Sequence, residues 1–207
     1  MKKIRFFLIL LTILVLFFSS WGYADSPVTS TPFCETYIDI PLVQQARRNG
    51  ILTDEMAEFL FSPAQVLGEK AALINALGWD FNGKSNAKRF AGFLMTRYGF
   101  QTRKIPLDSL NGDDLFCLGY LTLMDDYFHP GKALPILKKA VRFKRTSFTA
   151  HIILAIARAQ YAMDSDWCQV WKYPEDVFAN PILTLDLREP ARKIIYDYLV
   201  LYQESCR

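Results

Sequence analysis

The stretch DDLFCLGYLTLMDDYFHPGKALPILKKAVRFKRTSFTAHIILAIARAQYAM, residues 113–163, decides the fold, and it reads as three helices joined by two tight connections. The first, predicted over residues 113–126, opens with two carboxylates, which suit the positive end of a helix dipole. Its apolar residues Leu115, Phe116, Leu118, Tyr120, Leu121, Leu123 and Met124 go right round the cylinder, so burial on all sides is expected. The second, from about Lys132 to Lys144, is amphipathic. Ala133, Leu134, Leu137, Ala140 and Val141 fall on one face, and Lys132, Lys138, Lys139, Arg142 and Arg145 take the other. Pro135 belongs in its first turn, because deeper in the helix it would remove a hydrogen bond. The third starts near Thr149, with Ser147 or Thr149 as N-cap. Its run AHIILAIARAQYAM is almost wholly apolar, and alanines at 150, 155, 157, 159 and 162 allow neighbours to approach closely.

Within this stretch Leu118-Gly119 and Leu154-Ala155 pair a large with a small residue, and Ala133, Leu137 and Ala140 lie on the helix between them. The pattern resembles a degenerate tetratricopeptide repeat, in which paired helices stack through small residues at their crossings. The resemblance is confined to residues 113–163, lacks the Trp expected early in the first helix, and has no Asp-Pro after the second. It implies stacked helix hairpins and a protein-binding role.

Upstream, residues 1–24 read as an export signal. Lys2, Lys3 and Arg5 precede an apolar run over residues 6–18, broken only by Thr12, and Gly22 and Ala24 are small residues at the positions a signal peptidase reads. Thirteen residues rise roughly 20 Å as a helix, short of a hydrocarbon core of about 30 Å. Cleavage is therefore expected, leaving no transmembrane segment and an exported chain, periplasmic or secreted. The signal holds three of the 24 Lys and Arg and none of the 21 Asp and Glu, so the rest is balanced at 21 against 21. A neutral chain lacks the basic footprint of a nucleic-acid binder.

The remaining chain is sized for one domain. Residues 25–40 are expected to be a flexible leader, followed by a single α-helical domain over residues 41–207 with parts at 41–99, 113–163 and 164–207. Pro41–Asn49 ends at Gly50, Thr53 caps Asp54–Phe61, and Ser62-Pro63-Ala64-Gln65 is a capping box opening a helix over residues 63–77, with Val66, Leu67, Leu73, Ile74 and Leu77 facing inward. Ser85 caps Asn86–Tyr98, with Gly99 as its stop. Residues 164–187 show little periodicity and are expected to be a loop, and a last helix is predicted over residues 190–204. No strand pattern occurs. The expected fold is all-α, an antiparallel helical bundle or tetratricopeptide-like stack stapled by disulfides. Cys34, Cys117, Cys168 and Cys206 are an even set in a compartment that permits disulfides. If the helices alternate up and down, Cys117 pairs with Cys206 and Cys34 with Cys168.

No cofactor motif and no catalytic motif is present: there is no G-x-S-x-G, no Cys-His pattern, and no carboxylate pair singled out among Glu35, Glu69, Asp80 and the rest. His151 lies among Ala150, Ile152 and Ile153 and is expected in the core. Asp125, Asp126 and His129 gather at a helix end and form the one cluster that could hold a divalent metal. Lys138, Lys139, Arg142 and Arg145 form a basic face suited to steering an acidic partner. The strongest candidate surface is YAMDSDWCQVWKYPEDVF, residues 161–178. There Trp167, Trp171, Tyr173 and Phe178 are interleaved with Asp164, Asp166 and other acids, the aromatic chemistry that protein hot spots use. The function these features imply is a non-catalytic scaffold or adaptor that binds a protein partner in the bacterial envelope. A cell-wall hydrolase or a secreted effector is the alternative.

Overall fold

The computed structural model describes residues 25–102, 104–163 and 165–207; the expected signal at residues 1–24 lies outside the described residues. These contain nine α-helices and no strand. The helices are α1 (Pro41–Asn49), α2 (Asp54–Phe61), α3 (Leu67–Leu77), α4 (Asn86–Tyr98), α5 (Gly112–Asp125), α6 (Leu134–Phe143), α7 (Phe148–Ala162), α8 (Trp167–Phe178) and α9 (Glu189–Leu199). Short 3₁₀ turns at Phe33–Tyr37, Leu107–Ser109, Pro130–Lys132 and Val200–Cys206 complete the chain. Among the described residues no helix is long and apolar enough to cross a membrane.

Small polar side chains fix where several helices begin, by taking amide protons that have no partner in the first turn. Thr53 accepts from the Met56 amide, Asn111 from those of Asp113 and Asp114, Ser147 from that of Ala150, and Asp166 from that of Gln169. Gly50 and Gly99 end α1 and α4 in the left-handed region, at φ 65° and 66°, which a residue with a Cβ enters at a cost. The expected capping box at Ser62 does not open a helix. Ser62 accepts only from Ala64 in a turn, α3 starts at Leu67, and Val66 is exposed rather than inward.

The apolar pattern of α5 is realised: Leu115, Phe116, Leu121 and Leu123 are fully buried, and α5 contacts α2, α3, α4, α6 and α7. Helices α3 and α7 are nearly as buried, so three helices form the interior and the others cover them. A Cβ on Gly119 would stand 2.9 Å from the Leu137 side chain and 3.2 Å from its backbone nitrogen, so α5 and α6 approach closely there. Ionisable side chains are carried inside as well. Lys70 is fully buried on α3, and its ammonium donates to Asp113 Oδ2 at 2.8 Å, while Lys144 pairs with the same carboxylate. Burial pushes the Asp113 carboxyl up, but its bonds from Lys144 and Lys70 outweigh that and hold it below its ordinary value. Beside it, burial raises Asp114 against the opposing hydrogen bond that Tyr98 donates to it at 2.5 Å.

Four expectations are corrected. Residues 25–40 are not a flexible leader. Val28, Phe33, Cys34 and Tyr37 lie in the core, and Asn75 accepts from the Cys34 amide (3.0 Å) and donates to Thr31 O (3.1 Å). Arg188 closes over this segment. Its guanidinium sits 4.2 Å from the Tyr37 ring centroid and forks onto the Asp39 carboxylate at 2.5 and 2.8 Å. Residues 167–178 are a helix despite Pro174, because Asp166 caps the first turn and Val170, Trp171, Pro174 and Val177 supply a buried face. His151 is half-buried, its Nε2 3.0 Å from Arg145 O. The disulfide joins Cys168 to Cys206, leaving Cys34 and Cys117 as buried free thiols. Cys117 sits well inside α5 and not at its end, the position that a pairing with Cys206 requires. Burial pushes the Cys34 thiol up to about 11 and the Cys117 thiol higher still, so neither is nucleophilic.

Candidate functional site: an aromatic cleft at two helix turns

Helix formation in residues 167–178 divides the predicted aromatic surface. Trp171 is 3 % exposed and packs edge-on against Tyr196, with ring centroids 5.7 Å apart. Phe178 sits between Phe148 (5.4 Å) and Tyr196 (5.2 Å), and Tyr173 is half-buried beneath the Arg158 guanidinium. These three rings belong to the packing of α7, α8 and α9. Asp166 is spent on the α8 cap, and Asp164 lies outside the described residues. Trp167 alone stays in solvent, 50 % exposed. It is not loose: one ring face stacks on Tyr202 at 5.8 Å and 15°, and the neighbouring Cys168 is tied to Cys206.

The predicted metal cluster is also divided. Asp125 turns toward α4, where its Oδ2 accepts from the Ala87 amide at 2.8 Å, while its carbonyl accepts from the Lys84 amide at 3.0 Å. It thus caps a helix remote from it in sequence, a use invisible to local spacing. Burial raises its carboxyl, opposed by the amides it accepts. Asp126 points the other way, to His129 Nδ1 (2.8 Å) and Lys132 Nζ (2.7 Å), and the hydrogen bond from Lys132 holds its carboxyl low. Two residues remain where three were expected, and among the described residues no three His, Cys, Asp or Glu side chains gather as a metal site.

The predicted basic face is exposed at Lys138, Arg142 and Arg145 but partly neutralised within the fold, since Lys139 pairs with Asp108 and Lys144 with Asp113. What remains is a solvated side of α6.

What the two divided candidates leave behind converges. Trp167 and the turn at residues 127–132 line the same cleft of about 730 Å³, floored and walled by Tyr127, Phe128, His129, Gln160, Tyr161 and Met163. Phe128 is 57 % exposed and Tyr161 63 %. Phe128 is held by stacking on Tyr127 at 4.2 Å, and Tyr127 in turn rests edge-on against Trp79 at 5.3 Å. The first described residues, Asp25 and Ser26, border the cleft as well. Three exposed rings stand around it, two of them braced from behind by another ring. The sequence reading missed Phe128 and Gln160. The signal available was the pair Tyr127-Phe128 directly ahead of Pro130-Gly131: two adjacent rings at a tight turn cannot both point inward.

No protein-family model matches the chain, and no curated protein or solved structure matches it either.

Proposed function

We propose that the protein is an exported, non-catalytic adaptor that holds a protein partner in the aromatic cleft. The observation that carries this reading is the gathering of Phe128, Tyr161 and Trp167, from three separate points in the chain, around one 730 Å³ concavity. Rings of this kind supply large contact area at small conformational cost, which is why they dominate binding hot spots. Two supports make the rim rigid before any partner arrives, the Trp167–Tyr202 stack and the Cys168–Cys206 disulfide, and preorganisation of this sort reduces the ordering cost of binding. That disulfide also suits a periplasmic or secreted location. The tetratricopeptide-like reading of residues 113–163 belongs to the same proposal, supported by the close approach of α5 and α6 at Gly119.

The test is crosslinking and capture from the native compartment with wild type and a Phe128→Ala, Trp167→Ala double variant. A protein captured by wild type and lost from the variant, with Tm lowered by no more than the few degrees that two lost ring stacks account for, is the expected result. Equal capture by both, or none by either, would discard the cleft as a docking site.

A further inference from the structure

The first described residues, Asp25 and Ser26, line the aromatic cleft beside Trp167, and they are held there. Tyr198 donates to Asp25 Oδ1 at 2.7 Å and shares a hydrogen bond with Tyr202, whose ring stacks on Trp167. Ser26 is buried; its hydroxyl meets that of Thr29 and its amide donates to Ser30 Oγ. The residue bonded to Asp25 is Ala24, so the chain that precedes it is attached at the edge of the cleft. That chain reads Ser19-Ser20-Trp21-Gly22-Tyr23-Ala24, and neither it nor the apolar run ahead of it holds a charge.

We propose that, while residues 1–24 remain attached, Trp21 and Tyr23 occupy the cleft of their own chain, so that removal of the expected export signal opens it to a partner; this rests on the adaptor reading above. Four residues extend at most about 13–14 Å, and a cube of the cleft's 730 Å³ has an edge of about 9 Å, so both rings reach across it from Asp25. Trp21 and Tyr23 are two positions apart, which puts their rings on the same side of an extended chain, with small Gly22 and Ala24 on the other. Rings with one polar tip suit a concavity rimmed by Phe128, Tyr161 and Trp167 and open to water. A tether this short holds the segment near its site at an effective concentration of about millimolar, which a free partner of similar chemistry must outcompete. Cleavage after Ala24 cuts the tether, and the segment then competes as any dilute solute does.

The experiment makes the full chain in a cell-free reaction with lipid nanodiscs under oxidising conditions, one copy per disc, with Lys132→Cys as a reporter. Lys132 lines the cleft with its side chain 65 % exposed, whereas Cys34 and Cys117 are buried, so a maleimide reads position 132 alone. The labelling rate is expected to rise about fivefold or more when purified signal peptidase removes residues 1–24. A chain that also carries Trp21→Ser and Tyr23→Ser is expected to label at the fast rate while still attached. Both substitutions lie outside residues 25–207, so the fold that presents the reporter is the same in every sample. Equal rates before and after cleavage overturn the inference. Slow labelling that persists in the chain with both serines overturns it too, because the lipid surface then supplies the protection. Protection that fades as the discs are diluted assigns the segment to a second copy, and a chain that the peptidase leaves intact removes the switch; either result overturns it as well. In each of those cases the capture experiment on exported protein still decides separately whether a partner uses the cleft.

Discussion

Trp167 and Trp171 lie one helical turn apart and serve different purposes. Trp171→Ala empties a site only 3 % open to solvent and is expected to cost about 3–5 kcal/mol, read as a large shift in urea midpoint. Trp167→Ala gives up a half-exposed ring and one stack with Tyr202, worth about 0.5–1.5 kcal/mol. Comparable losses in the two variants would show that Trp167 is part of the core and not of a binding rim. Asp125 makes the same point for a charged group. Asp125→Ala removes a cap from α4 and is expected to cost on the order of 1 kcal/mol. Added Ca²⁺ or Zn²⁺ is expected to leave the wild-type Tm unchanged, and a rise of several degrees would mean that the carboxylates can regroup around a metal.

At the scale of elements, two glycines inside helices give opposite forecasts for the same substitution. Gly119→Ala drives a methyl group against Leu137 where α5 meets α6 and is expected to cost about 1–3 kcal/mol. At Gly92 on α4 an added methyl group would meet nothing within 4 Å, so Gly92→Ala is expected to gain about 0.5–1 kcal/mol from helix propensity alone. Thermal unfolding of the pair checks both signs at once. Helix boundaries were legible at three local signals: Pro41–Asn49, Asp54–Phe61 and Asn86–Tyr98 stand where Gly50, Thr53 and Gly99 place them. They were illegible where tertiary partners decide. Nothing local in DSPVTST announces that Asn75, more than 40 positions away, will bond its last residue, Thr31, and Cys34 just beyond it. Pro174 likewise argues against a helix until the buried face of α8 is known to outweigh one lost hydrogen bond. The cleft was half legible, through Trp167 and the 125–129 turn, because its two sides are joined only by the fold.

For the molecule as a whole, stability depends on pH through groups displaced in opposite directions. Asp113, Asp126 and Asp39 are held below their ordinary value of 3.8, so their contributions are complete above it and are lost as pH falls through their folded values. Asp114 and Asp125 are raised, so ionising them works against the fold, and acidification from neutrality toward 3.8 relieves that. Tm is therefore expected to rise modestly on moving from pH 7 toward the upper edge of the carboxylate range and to fall below about pH 3.8. A Tm that falls steadily from pH 7 downward would contradict the assignment. Asp113→Ala strands the buried Lys70 cation and is expected to cost about 3–5 kcal/mol. Replacing Cys168 and Cys206 by Ala opens a crosslink spanning 38 positions and is expected to lower stability by about 3–4 kcal/mol. The same change frees the turn that carries Tyr202, so Trp167 fluorescence should shift with it.

Arg188 takes its partners from the opposite end of the chain: its amide bonds Tyr37 Oη across 151 positions and its guanidinium bonds Thr36 O across 152. Contacts of such separation are the slowest to close, because the intervening chain must be ordered first. A chain truncated after Leu187 is accordingly expected to leave residues 26–40 open to proteolysis. Residues 26–40 and the start of α9 therefore close on each other, so that loosening either one exposes the other.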